Sequence, residues 1–129
     1  MQPFFDDVPE RLGRAHLVLC RAGASTSAEL TTAGRPAILV PYPHAADDHQ
    51  TANAATLAEA GAAWLVPQPE LTPRSLANRL TELAREPQRL VAAAEAARAI
   101  GRPDAAALLA ELVLETIRAN GGDRTKEAA

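Results

Sequence analysis

The chain has 129 residues, enough for one small domain. Thirteen Lys and Arg against sixteen Asp and Glu leave a formal charge of −3, and no basic stripe is present to hold nucleic acid. A single cysteine excludes an internal disulfide, and no apolar run approaches the ~20 residues that span a bilayer.

The first residues, Met1 to Asp7, lack the basic start and long apolar stretch of a signal peptide. With the lone cysteine, this reads as a cytoplasmic protein in a reducing compartment. A short apolar piece opens the chain and a helix-like segment follows at once, without room for a first strand-loop-helix unit. The expectation is a fragment, or one subunit of a split enzyme.

Three short apolar runs come next: Leu17 to Cys20, Ala37 to Val40 and Ala63 to Val66. Each is too short for a helix and lacks strict alternation, which predicts strands buried on both faces of a parallel sheet. Helical patterns separate them. Thr26 to Ala33 stops at Gly34, and Asp47 to Ala60 stops at Gly61. Alternating helix and strand predicts an α/β fold with right-handed crossovers. Thr72-Pro73 starts a further helix with Leu76, Leu80 and Leu83 at helical spacing. Pro87 divides it from Gln88 to Ile100, Gly101-Arg102-Pro103 breaks the chain, and Leu109, Leu112, Val113 and Ile117 mark a last amphipathic helix. Residues 3–119 form the expected domain, and 120–129 the expected disordered tail.

In a parallel α/β sheet, ligands bind beyond the carboxyl ends of the strands. That rule selects the loops Arg21 to Ser25, Pro41 to Gln50, and Pro67 to Glu70. In the first, Gly23 permits a tight turn, and Ser25, Thr26 and Ser27 open a helix whose unpaired amides attract anions. Glu29 lies one turn further in, where a carboxylate can accept two bonds from vicinal ribose hydroxyls. Thr26-Ser27-Ala28-Glu29 is equally a capping box, and spacing leaves both readings open. In the second loop, Asp47 and Gln50 are also spaced as a cap. Yet His44, Asp48, His49, Gln50 and Asn53 form a dense polar group, and amide side chains suit sugar hydroxyls because each offers donor and acceptor.

Other chemistries fit less well. His44, Asp47, Asp48 and His49 match no zinc spacing, so no metal is expected. Gly23 to Ser27 lacks the second glycine of a nucleophile elbow, and one glycine stands where a dinucleotide fingerprint needs three. His16 and Trp64 read as structural, and Tyr42 either lines the site or packs. Arg74, Arg79, Arg85 and Arg89 read as solvated helix faces, and Cys20 as a small buried hydrophobe.

The order of these residues resembles a known family. Pro9 to Leu12, Leu17 to Ala24, Ser27-Ala28-Glu29, Ala33 to Ala37, Pro41-Tyr42, Asp48-His49-Gln50 and Asn53-Ala54 are similar to the C-terminal part of the MurG family of family 28 glycosyltransferases. Members of that family transfer N-acetylglucosamine from its UDP conjugate to lipid I, giving lipid II of peptidoglycan. The resemblance covers roughly Pro3 to Leu114. It implies one partial Rossmann-like half of a two-domain GT-B fold, with C-terminal helices. It implies that Ala24, Ser25, Thr26, Ser27, Ala28 and Glu29 wrap the donor. The amides near Ala24 to Thr26 would meet sugar and diphosphate, and Glu29 would hold the ribose. Gln50 would contact N-acetylglucosamine, with His49 and Asn53 beside it. It implies no metal, no cofactor, and peripheral attachment of the full enzyme to the inner face of the membrane. The acceptor domain, the catalytic base, the glycine-rich phosphate loop and the uracil-holding segment are expected to lie outside this chain, so no catalytic residue is assigned and the chain alone is expected not to transfer sugar. Two alternatives are the donor-binding subunit of a two-chain glycosyltransferase and a non-catalytic nucleotide-sugar-binding domain.

Overall fold

The computed structural model describes residues 4–121. The chain opens with helix α1, Val8–Arg14. Asp7 accepts from Arg11 at 2.6 Å, and that guanidinium holds the Asp7 carboxyl below its ordinary pKa. The end of α1 leaves unpaired carbonyls, as any helix does. Arg35 satisfies two at this corner, donating to Gly13 at 2.6 Å and to Ala15 at 3.2 Å.

Three parallel strands follow: β1 (Val18–Cys20), β2 (Ala37–Leu39) and β3 (Ala63–Leu65), in spatial order β1-β2-β3. Val18 pairs with Ala37, and Ala37 with Ala63. Helix α2, Ala24–Ala33, connects the first pair, and α3, His49–Glu59, the second. Side chains alternate across a strand, so Ala37, Leu39 and Ala63 join Leu30, Ala54 and Leu57 of α2 and α3 in one core. Ile38 and Val40 face the opposite way and meet Leu83 with Leu76, Leu90, Trp64 and Val66.

That second face is closed by α4, Pro73–Arg85, and the start of α5, Pro87–Ile100. Thr72 caps α4: its hydroxyl accepts from the Ser75 amide at 3.0 Å, while Ser75 Oγ accepts from the Thr72 amide at 2.9 Å. Leu83 is buried and Leu76 partly so, but Leu80 stays exposed. Along α5, Ala93 and Ala97 are buried, and Gly101 meets the α2 backbone at Thr31. Small residues at this spacing let the two helices approach closely. Arg89 is not simply solvated. It pairs with Glu82, which holds that carboxyl low and the guanidinium high, and it stands 6.0 Å over the Trp64 ring.

The strand expected at Leu17 to Cys20 is not buried on both faces. Leu19 is 46% exposed, because β1 lies at the sheet edge and the second-face cluster is built around Ile38, Val40 and Leu83. The last helix, α6, runs Ala105–Gly121, and Leu108, Leu109, Leu112, Val113, Leu114 and Ile117 all remain exposed. Residues 122–129, the rest of the expected tail, lie outside the described residues. Among the described residues, no helix is long and apolar enough to cross a membrane.

Candidate functional site at the carboxyl edge of the sheet

The turn after β1 is short. Arg21-Ala22-Gly23 leads straight into α2, with Gly23 as N-cap and the first helical bond running from the Ser27 amide to the Gly23 carbonyl at 2.9 Å. Helix geometry therefore leaves the amides of Ala24, Ser25 and Thr26 without intrahelical acceptors, and no side chain among the described residues caps them. The capping box drawn at Thr26 and Glu29 does not form. The helix begins two residues earlier, so Thr26 already sits in the first turn and Glu29 is a turn too deep to reach back.

The residues of this helix separate by face. Ala24, Ser25, Ala28 and Glu29 are exposed, and Thr26 is partly so. Ser27 turns inward with Leu30 and Thr31; it is 8% exposed, and its hydroxyl is buried without a partner among the described residues. Glu29 borders a groove between α1 and α2, lined also by Val8, Pro9, Leu12, Thr32 and Ala33.

The second loop leaves β2 at Val40 and Pro41. Ala45 to Asp48 turn tightly, with Asp47 and Asp48 both left-handed at φ 50°. Asp tolerates this region better than most residues, yet each such residue costs about 1–2 kcal/mol. Successive strained residues are held by their surroundings, and such strain concentrates at functional edges. The expected Asp47–Gln50 cap is also absent. Asp48 is the N-cap without a side-chain bond to the helix amides, and its carboxylate accepts from the Thr51 hydroxyl at 2.6 Å. Gln50 instead accepts the Tyr42 amide on Oε1 at 3.0 Å, which leaves its NH2 as the group able to meet a ligand.

Side chains join the two loops. Arg21 Nη1 donates to the Val40 carbonyl at 3.2 Å and the Pro41 carbonyl at 3.1 Å, and its guanidinium stands 5.6 Å from the Tyr42 ring centre. Tyr42 meets His44 edge-on at 5.6 Å. Asn53 donates through Nδ2 to the Ala22 carbonyl at 3.0 Å, so its amide points into the first turn. His49 is exposed at the first residue of α3. The third loop forms a 3-10 turn, Gln68–Glu70. Gln68 and Leu71 share a hollow with Leu19, Cys20, Arg21 and Val40. Burial pushes the Cys20 thiol up to about 11, which makes it a poor nucleophile at neutral pH. Among the described residues, no group of three or more His, Cys, Asp or Glu converges as metal ligands.

This edge offers free amides for anionic or hydroxyl oxygens, a carboxylate beside an apolar groove, and the half-buried Gln50 carboxamide held through its oxygen. Residues 1–109 match the glycosyltransferase family 28 C-terminal domain. The chain belongs to this family. A transferase from Rhodospirillum centenum, named UDP-N-acetylglucosamine--N-acetylmuramyl-(pentapeptide) pyrophosphoryl-undecaprenol N-acetylglucosamine transferase, is 59% identical over 128 residues, covering 99% of this chain and 34% of the relative. The protein of the same name from Rhodospirillum rubrum is 61% identical over 116 residues, covering 90% and 30%. The crystal structure of Acinetobacter baumannii MurG is similar at a TM-score of 0.80 and 41% identity, covering 88% of this chain and 33% of that one. The chain thus spans about a third of the length of these relatives.

Within this family 28 domain, three parallel strands with flanking and C-terminal helices constitute part of a Rossmann-like half of the GT-B fold. The structure gathers Ala24, Ser25, Thr26, Gln50 and Asn53 onto one sheet edge. It turns Ser27 into the core and sets Glu29 along the α1–α2 groove. The loop-joining role of Arg21 and the lining role of Val8, Pro9 and Leu12 are not apparent from the sequence. The apolar spacing Val8, Pro9, Leu12 was a usable signal for a helix face. Nothing in the sequence marks which carbonyl an arginine will find.

Proposed function

We propose that this family 28 domain binds UDP-N-acetylglucosamine as the donor half of an inverting N-acetylglucosaminyltransferase of peptidoglycan synthesis. The unpaired amides of Ala24, Ser25 and Thr26 receive phosphate or sugar oxygens, favoured by the positive end of α2. Glu29 accepts from the ribose hydroxyls. The groove of Val8, Pro9 and Leu12 beside it suits the flat face of the base, which would put base recognition within this chain. The NH2 of Gln50, whose Oε1 is held by the Tyr42 amide, meets the sugar, with His49 nearby. A hydroxyl of lipid I attacks the anomeric carbon, the bond to the diphosphate oxygen breaks, and UDP leaves with inversion. The acceptor and the base that takes its proton belong to an acceptor domain or subunit outside these residues. Attachment to the inner face of the membrane goes with that part.

The observation that carries this reading is the nearness of the free α2 amides and Gln50 on one sheet edge. The names of relatives at 59% and 61% identity support the choice of ligand. Calorimetry with UDP-N-acetylglucosamine tests it on the wild-type chain and on Glu29→Ala. A hydrogen bond to a charged group contributes ~1.5–3 kcal/mol, so the variant is expected to bind about ten- to a hundredfold more weakly. Equal binding removes Glu29 from the site. No binding by the wild type at millimolar ligand removes the donor role from this chain alone.

A further inference from the structure

We propose that Arg21 is a positioning residue that fixes the Pro41–Gln50 loop at a set distance from the Ala22–Thr26 turn, so that a ligand spanning both meets one rigid frame. The inference rests on the donor-binding reading for its ligand, but its geometry stands independently.

The contacts form a closed circuit. Arg21 leaves the end of β1 and takes the Val40 and Pro41 carbonyls just beyond β2. These lie past the paired stretch of the sheet, which ends at Leu39, so the guanidinium extends the cross-strand tie one step into the loop. Tyr42 follows, under the same guanidinium, and its amide is held by Gln50 of α3. One turn along α3, Asn53 returns to the Ala22 carbonyl next to Arg21. Each link closes a ring across the turn, β2's exit and α3. Moving either loop alone must break a bond at Arg21 or Asn53.

Arginine suits this place for a physical reason. Its planar fork can serve two adjacent carbonyls and still lie over an aromatic ring. Lysine reaches a carbonyl as a compact charge but loses the stacking. Both Nη1 bonds end on backbone carbonyls, which is the contact a positioning role needs; direct contact with a phosphate is told apart by the ligand profile.

The two roles predict different ligand profiles. UDP reaches the turn and the groove, whereas UDP-N-acetylglucosamine reaches the turn and Gln50's loop together. A positioning Arg21 affects the spanning ligand; a phosphate ligand would affect both equally. The test uses the full chain as wild type, Arg21→Lys and Arg21→Gln. Amide hydrogen exchange is measured without ligand, and affinity for UDP and UDP-N-acetylglucosamine by calorimetry. In Arg21→Gln, exchange at Tyr42 and Ala45 is expected to accelerate about tenfold relative to the strand amides. UDP-N-acetylglucosamine is expected to weaken about tenfold and UDP less than about twofold, with Arg21→Lys between. Unchanged loop exchange, or an equal loss for both nucleotides, overturns the proposal. Should Arg21→Gln not fold, Arg21→Lys decides it by the same ratio. If the wild type binds neither nucleotide, the donor reading fails while exchange alone judges the clamp.

Discussion

The side-chain amide of Asn53 donates to the carbonyl of Ala22 at 3.0 Å, and Ala22 is fully buried. The bond crosses from α3 to the turn before α2, so it fixes a backbone group that the sheet does not reach. Removing it strands a buried carbonyl, which costs about 1–3 kcal/mol. Asn53→Ala is therefore expected to lower unfolding free energy in urea by about that amount. Asn53→Asp should cost at least as much, because a carboxylate faces the carbonyl oxygen without a proton to donate. An Asn53→Asp variant as stable as wild type at neutral pH would show that the bond contributes nothing.

Ser27 separates the two faces of α2. Its hydroxyl is buried without a partner among the described residues, and an unsatisfied buried polar group is a cost, not a gain. Ser27→Ala is expected to be neutral or stabilising by up to about 1 kcal/mol, and to leave UDP-N-acetylglucosamine affinity within about twofold. A large loss of affinity with unchanged stability would instead return Ser27 to the ligand face.

Two glycines join α2 to α5 by different mechanisms. Gly34 ends α2 at φ 61°, and a Cβ there also lands inside the Arg98 side chain. Gly101 has an ordinary φ of −66°, but a Cβ there stands 2.6 Å from the Thr31 carbonyl oxygen. Gly34→Ala is expected to cost about 1–2 kcal/mol for its backbone alone, with Arg98→Ala relieving only the collision. Gly101→Ala meets backbone that cannot swing aside and should cost about 1–3 kcal/mol. Thermal melts of the two single variants, each with and without Arg98→Ala, check this. Rescue of Gly101→Ala by the Arg98 change would contradict the packing.

The legible parts of this fold were those fixed by local chemistry. Ala37 to Val40 read as a strand because both faces are covered, and Thr72-Pro73 read as a helix start because its cap lies within three residues. Errors arose where a distant element decides. Leu19 looked buried, but nothing in its own run states that the second-face cluster stops short of β1. Thr26 to Glu29 looked like a cap because the pattern fits; the backbone at Gly23 starts the helix first. The candidate edge itself was legible through the rule of strand ends. The bonds inside it were not, since Arg21 and Asn53 bind backbone carbonyls 19 to 31 residues away, and every residue carries a carbonyl.

Cys20 gives the chain a pH dependence of known sign. Burial raises its thiol from 9.0 to about 11. The unfolded chain therefore releases this proton first as pH rises. Below about pH 9 the thiol is neutral in both states, and its contribution to stability is intact. Between about pH 9 and 11 the unfolded state holds fewer protons, so stability falls as pH rises through the folded pKa. Thermal midpoints at pH 8 to 11 should decline more steeply for wild type than for Cys20→Ala, whose small side chain removes the titrating group. Alkylation by iodoacetamide at pH 8 should also run well below the rate of the urea-unfolded chain, because reaction needs the thiolate. Parallel midpoint curves for the two proteins, with equal alkylation of folded and unfolded chains, would mean that Cys20 titrates as a solvated thiol and that the β1 edge is open on both faces.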